Sequence, residues 1–408
     1  MRSSVGATNG SGADVTSTQP VGFLRSLVIG FIAFLTVVDL FATQAILPSL
    51  AQVYGVDASL IGPAVNAGTL GMAIASIAVA FLGGRVDHRR TIAGALACLA
   101  IPTLLLALAP DLASFALLRV VQGLLMATAF SLTLAYLAQT TRGPETATLF
   151  AAYITGNVAS NLFGRLMSAS IADMFGLKAN FIAFAALNLL GGGLAYVALS
   201  ERVHSTLRRQ DMSGATIPRL LADPGLRAAF ATGFCILFAF IGTFTYVNFV
   251  LVRPPLSLGM MSVGFAYFVF LPSIVTTPLA GRLAARFGTC IAMRASLVIA
   301  VAGLPLLLTA SLPLVLAGMT LIAVGTFLAQ AIATGFVGRA GASDATAASG
   351  IYLACYFLGG LVGSIVLGQL FVRLGWSACV GGVAVSLLAA VVLARRLRVS
   401  NDAPDYEL

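Results

Sequence analysis

The sequence predicts an all-α integral membrane protein whose twelve transmembrane helices form two pseudo-symmetric six-helix bundles. Three observations carry that prediction. The composition is 59% hydrophobic and only 9% charged, with a mean hydropathy of +1.00, and a water-soluble chain of this length needs more charge to cover its surface. Twelve apolar stretches are each long enough to cross a bilayer core, which takes about 20 helical residues at ~1.5 Å per residue. The chain also repeats itself at a constant offset: Tyr153 pairs with Tyr352, Gly164 with Gly363 and Gly176 with Gly375.

In order, the first six stretches are Leu27–Leu47, Leu60–Leu82, Ile92–Ala109, Leu112–Ala138, Thr148–Ala172 and Phe181–Leu199. The second six are Ala228–Leu251, Met260–Ala280, Ala295–Leu312, Leu314–Val337, Ala347–Val372 and Ser377–Ala394. Before them, residues 1–22 are rich in Gly, Ser and Thr and hold no aromatic residue, the composition of a disordered tail. The first apolar run comes too late and is too long for a cleaved signal peptide. The chain therefore divides into a tail (1–22), a first bundle (23–199), a polar linker (200–227) containing Pro218 and Pro224, a second bundle (228–394) and a second tail (395–408). Pro102, Pro272, Pro278 and Pro305 lie inside or beside apolar runs and are expected to bend their helices.

Charge sets the orientation. With the N-terminus in the cytoplasm, that face carries 18 arginines, while the opposite face carries Lys178, Arg253 and Arg373. The positive-inside rule then places both termini in the cytoplasm. It also accounts for the net charge of +9 without a nucleic-acid partner. The five cysteines, Cys98, Cys235, Cys290, Cys355 and Cys379, sit in or beside apolar runs without paired spacing, as packing residues rather than a metal or redox site.

Two segments between apolar runs stand out: Gly83-Gly84-Arg85-Val86-Asp87-His88-Arg89-Arg90 and, in the second half, Gly281-Arg282-Leu283-Ala284-Ala285-Arg286-Phe287-Gly288. Both read as short basic loops. In the fourth stretch stands Arg119-Val120-Val121-Gln122-Gly123. Gly156, Ser160 and Gly164 line one face of the fifth stretch, and Gly359 and Gly363 one face of the eleventh. Small residues every four positions let helices approach closely in lipid. Such stripes serve either static packing or a sliding contact between halves.

These features together resemble the major facilitator superfamily of transporters over nearly the whole chain. The Gly84, Asp87, Arg89, Arg90 pattern is similar to the family's loop between helices two and three, and Gly281, Arg282 and Arg286 to its weaker second copy. Arg119, Gln122 and Gly123 are similar to the family's Arg-x-x-Gln-Gly motif. The first loop is shorter than the family pattern, and Ala285 stands where an acid is expected. The fifth stretch, with Gly156-Asn157 followed by Gly164-Arg165-Leu166 and no proline between, resembles the bacterial YnfM-like permeases, a drug and sugar efflux-type branch. The resemblance implies alternating access at a site between the halves. It also implies a cytoplasmic gate in which Asp87 meets the positive end of the eleventh helix, and a proton-coupling role for Arg119.

Within the predicted spans only Asp39, Arg119 and Arg165 carry formal charge. A charge near the bilayer centre costs at least ~2.5 kcal/mol, so those retained face protein or a water-filled cavity. Burial favours the neutral form of a carboxyl and a neighbouring arginine favours its charged form. Asp39, poised between the two, is a candidate proton-coupling group or cation site. Its alternative is a permanent salt bridge to Arg119 or Arg165. Arg165 is either a substrate contact or a side chain snorkelling outward. Gln44, Gln122, Tyr246, Asn248 and Gln330 are candidate substrate contacts, each with the alternative role of interhelical hydrogen-bonding.

The function that follows is a secondary active transporter of a small organic molecule in the bacterial inner membrane. It is read as a proton-coupled exporter, with proton-coupled uptake of a nutrient or organic anion as the alternative. No catalytic triad, metal-ligand spacing or phosphate-binding loop stands in the chain, and His88 and His204 both fall in predicted loops. An enzyme, a bound cofactor and a resident metal are therefore not expected, and a non-transporting receptor is a remote alternative. The expected partners are substrate, protons and lipid, with the chain acting as a monomer.

Overall fold

The computed structural model describes residues 19–82, 86–140, 144–199, 216–341 and 344–397. Eleven of its helices are long and apolar enough to cross a membrane. One of them, Thr148–Ala198, has 51 residues, roughly 76 Å if straight at ~1.5 Å per residue, more than twice a ~30 Å hydrocarbon core. It is not straight, because Gly176 interrupts it at φ 84°, ψ 171°. That backbone conformation favours glycine, and it turns one long segment into two crossings, twelve among the described residues. Gly375, its counterpart in the second half, does the same at φ 83°, ψ −176° between the last two crossings. The repeat seen in the sequence is thus a repeat of backbone geometry.

The crossings are α1 (Gln19–Ala45), α2 (Ala58–Leu82), α3 (His88–Leu106), α4 (Leu112–Thr140), α5 (144–175) and α6 (177–198). They continue with α7 (Pro224–Val252), α8 (Met261–Phe287), α9 (Thr289–Leu308), α10 (Leu312–Ala340), α11 (Ala345–Leu374) and α12 (Trp376–Leu393). An even number of crossings returns the chain to the face where it began. A short helix, Leu47–Tyr54, prolongs α1 along the other face. There Asp57 caps α2, its carboxylate accepting from the backbone N–H of Ser59 (2.8 Å) and Leu60 (3.2 Å).

Two features differ from the sequence expectation. The second basic segment is no loop: Ala280–Phe287 is helical, and Gly288 alone makes the turn into α9. Its Gly281, Arg282 and Arg286 lie on an exposed helix end, where eight residues alternate apolar and basic faces with the helical period. The predicted linker is partly helical as well, with Thr216–Ala222 and then Pro224 onward in helices, because Asp223 caps and Pro224 opens α7.

Of the two roles left open for the small-residue stripes, the structure shows close packing of helices within a half. Gly156 and Gly164 receive Gly30 and Val38 of α1, while Gly359 and Gly363 receive the Phe234 and Phe238 backbones of α7. Ser160 is buried on the same α5 stripe. The pairings α1/α5 and α7/α11 are the same contact made twice.

Between the halves the largest contacts are α2 with α11 and α5 with α8. Gly350 lies over Ser76 and Ala80 near the face bearing the chain ends, and Gly368 lies over Ser59 near the other. Gly264 of α8 meets Leu166 and Ala169 of α5. The halves therefore touch toward both faces.

One of the close helix approaches lies within the Arg119 motif itself. At Gly123 of α4 an added Cβ would collide with the backbone carbonyl of Gly68 in α2. Gly123→Val is therefore expected to destabilise the protein by about 1–3 kcal/mol or more. Gly94→Ala, at an exposed site with open space around it, should leave the thermal midpoint in detergent unchanged or slightly raised.

Candidate functional site

Two polar clusters lie inside the apolar body. The first is a chain of hydrogen bonds through five helices of the first half. Arg119 of α4 donates from Nε to the Val65 carbonyl of α2 (2.8 Å) and from Nη1 to the Asp39 backbone carbonyl of α1 (3.2 Å). It also donates from Nη1 to Gln122 Oε1 (2.7 Å) and from Nη2 to the Leu40 carbonyl (3.5 Å). Gln122 Nε2 then donates to Thr103 Oγ1 of α3 (2.6 Å). Asn188 Nδ2 of α6 donates both to Thr103 Oγ1 (3.0 Å) and to the Asp39 carboxylate (2.7 Å). All five residues are nearly or fully buried.

Local sequence explains this convergence. Helix α2 tightens at Ala67, just after Asn66 and one turn past Pro63, where the Ala67 N–H reaches the Ala64 carbonyl. Beside this turn the Val65 carbonyl accepts from the Arg119 side chain of α4. Gly68 and Gly71 of α2 and Gly123 of α4 let the two backbones close to contact, so the guanidinium of Arg119 sits among carbonyls without spanning a gap.

The sequence left open whether Asp39 pairs with Arg119 or Arg165. The structure gives neither as a salt bridge: the carboxylate accepts from Asn188, and Arg119 holds only the backbone carbonyl of the same residue. The amide matters in a second way, because Asn188 Oδ1 is buried without a hydrogen-bond partner.

The second cluster crosses between the halves. Arg165 of α5 is fully buried rather than snorkelling, and its Nη2 donates to Gln44 Oε1 of α1. Gln44 Nε2 donates to Asn66 Oδ1 of α2 (2.6 Å), and Asn66 Nδ2 donates to Thr245 Oγ1 of α7 (3.0 Å). Asn248 of α7 donates to the Gln44 carbonyl (3.0 Å) and accepts from the Tyr267 hydroxyl of α8. Four rings surround the Arg165 guanidinium carbon: Tyr267 at 4.4 Å, Phe270 at 5.3 Å, Phe244 at 5.5 Å and Phe41 at 5.6 Å.

Other predicted contacts lie elsewhere. Tyr246 is buried against Gly62 of α2 and Gly368 of α11, and donates to the Ser364 carbonyl. It is a wedge between halves rather than a member of the cluster. Gln330 is half-buried and takes no part in either network.

At the expected gate, Gly84 falls outside the described residues. Asp87 is exposed and caps its own helix, accepting from the Arg90 backbone N–H (3.1 Å) and pairing with the Arg90 side chain (3.4 Å). Arg89 donates to the Tyr196 carbonyl of α6 (2.7 Å) and lies over the Tyr196 ring. At the N-terminus of α11 the acid is Asp344, paired with Arg219 of the short helix before α7. Thus the resemblance implies that Asp87 meets α11, whereas here it serves α3.

Sequence reasoning passed over Thr103, Asn188, Asn66, Thr245, Tyr267 and the three phenylalanines of the ring cage. The two asparagines carried a usable signal, each being a lone amide within an apolar run. Phe41 and Phe270 carried none, since 26 phenylalanines are spread along the chain.

Comparison with known proteins fits this architecture. The family model described as Major Facilitator Superfamily matches residues 29–270. The chain belongs to the Major Facilitator Superfamily. As a superfamily transporter it is a multi-pass membrane protein that acts on a small-molecule substrate. It is 25% identical to the uncharacterized MFS-type transporter YybF of Bacillus subtilis, over 93% of this chain and 95% of that protein. It is 26% identical to the inner membrane transport protein YnfM of Escherichia coli, over 92% of this chain and 91% of that protein. Its fold matches a solved bacterial homolog of the human lysosomal transporter Spinster, in an inward-facing and unoccupied conformation. That match has a TM-score of 0.70 at 14% identity and covers 93% of this chain and 95% of the other.

Proposed function

We propose that this superfamily transporter is a proton-coupled exporter of a small organic molecule, exchanging substrate for protons as its two halves rock about the α2/α11 and α5/α8 contacts. The observation that carries the reading is the buried Asp39 carboxylate, joined to Arg119 through Asn188, Thr103 and Gln122. Asp39 exchanges the proton, Arg119 fixes the carbonyls around it, and Gln44, Asn248 and Arg165 face substrate between the halves. Asn188 suits both protonation states. Its amide N–H serves the carboxylate, and a rotated amide offers Oδ1 to a protonated carboxyl. Export is the direction that the resemblance to efflux-type permeases implies. The arginine excess on one face and the name of the Escherichia coli relative support an inner-membrane location with both termini cytoplasmic. The gate role of Asp87, Arg89 and Arg90 rests on the family resemblance alone.

The test is substrate-induced proton movement in proteoliposomes, read with an internal pH dye across a panel of anionic, neutral and cationic compounds. Proton movement opposite to substrate is expected. Movement in the same direction would establish uptake by symport, and substrate movement without protons would remove the coupling.

A further inference from the structure

Arg165 is a buried cation with almost nothing to neutralise it. Its side chain is fully buried, and Nε and Nη1 have no hydrogen-bond acceptor. Among the described residues no carboxylate lies within ion-pair distance; its polar neighbours are neutral, the Gln44 amide that accepts from Nη2 and the Tyr267 hydroxyl. Its four aromatic neighbours attract a guanidinium through their faces, but a ring face takes no hydrogen bond along the Nε–H and Nη1–H directions. A charge retained at membrane depth normally faces a partner or a water-filled path. Arg119, equally buried, shows what a satisfied arginine looks like here, with all three nitrogens placed on acceptors.

The cage is divided between the halves. Phe41 and Arg165 belong to the first, and Phe244, Tyr267 and Phe270 to the second. Parting the halves withdraws three rings from the guanidinium and exposes its unused N–H groups. Behind the cage the second half continues as packed rings, Phe270 with Phe240 at 6.0 Å and with Phe327 at 6.0 Å. A ligand entering there meets hydrogen-bond donors carrying positive charge at one end and flat apolar surface at the other.

We propose that Arg165 is the anchor for an organic carboxylate carrying a flat apolar body, its carboxyl oxygens accepting from the guanidinium and its body lying against the second-half rings. The substrate class is then an aromatic or similarly planar organic acid. This inference rests on the transporter reading and names the cargo of that same site. A ligand held by one half's arginine and the other half's rings is sensed by both, as alternating access requires.

The test uses the full-length protein in detergent, with benzoate, phenylpropionate and indoleacetate as probes against their neutral amides and the corresponding amines. Unfolding is followed by a thiol-reactive dye, for which the buried Cys379 is a natural reporter. At least one acid is expected to raise the thermal midpoint in a dose-dependent way, while its amide and amine do not. In Arg165→Met the apparent affinity should fall roughly tenfold or more, and the ligand-free midpoint should be at or above wild type, because an uncompensated buried charge has gone. Tyr267→Phe should keep the acid response and Tyr267→Leu should weaken it. The proposal is overturned if none of the acids shifts the midpoint, if amides match acids, if Arg165→Met keeps the response, or if that variant fails to fold. Asp39→Asn separates this from the coupling reading. An acid response with no proton movement in the wild type would sink proton coupling and leave the Arg165 site standing; proton movement driven only by amines would do the reverse.

Discussion

Asp39→Asn is expected to insert and fold like the wild type and to lose substrate-coupled proton movement by on the order of 100-fold or more. The substitution is nearly isosteric, and the new amide still presents an oxygen to Asn188 Nδ2, which lies 2.7 Å from the carboxylate in the native protein. What it removes is the only carboxyl in the first cluster. Gln122, Thr103 and Asn188 only relay hydrogen bonds, and Arg119 stays charged. Substrate binding at the other cluster should survive, so counterflow of preloaded substrate continues while proton-driven accumulation stops. Fluorescence of a pH dye inside the vesicles, beside uptake of the same substrate, checks both halves of the statement. Full proton movement in a properly inserted variant would move the coupling role away from Asp39.

The membrane class, the crossings and the repeat were legible because lipid imposes simple rules on sequence: long apolar runs, arginines on one face, and glycines where backbones turn. Gly176 and Gly375 show this best, for their equal spacing in sequence became equal backbone angles in space. The site was only partly legible. That Asp39, Arg119 and Arg165 are the charges inside the spans follows from the apolar runs alone. Azimuth does not follow, because each helix packs on several others and an apolar run shows no polar face to orient it. That is why Asp39 met Asn188 of α6 instead of an arginine, and why Tyr246 turned toward α2 and α11. The Ala280–Phe287 segment was misread for a related reason. Its charges suggested a loop, yet nothing in Arg-Leu-Ala-Ala-Arg-Phe opposes a helix, and the turn needed only Gly288.

The two buried arginines should respond in opposite ways to removal of their charge. Arg119→Met is expected to destabilise the protein by about 2–4 kcal/mol. Four hydrogen bonds are lost, at ~0.6 kcal/mol each for an average intramembrane bond and up to ~1.5–3 kcal/mol where the donor is charged. Against this stands the relief of no longer burying a guanidinium, at least ~2.5 kcal/mol on insertion scales. At Arg119 the losses win. All three nitrogens have acceptors, and truncation also takes the donor from Gln122 Oε1 and the Val65 carbonyl of α2. At Arg165 one neutral acceptor and the attraction of the surrounding ring faces are lost, but Nε and Nη1 have no acceptor to lose, so the relief is expected to win. Arg119→Lys should fall between, since an ammonium on a flexible stem cannot place donors on Val65, Asp39 and Gln122 at once. Because Arg119 ties α1, α2 and α4 together beside Asp39, its loss should also reduce proton coupling in molecules that still fold. Side-by-side thermal midpoints of the wild type, Arg119→Met and Arg165→Met, in one detergent and without added ligand, decide the matter. Equal destabilisation of the two variants would mean that burial alone, and not the count of satisfied donors, governs what an arginine does inside this protein.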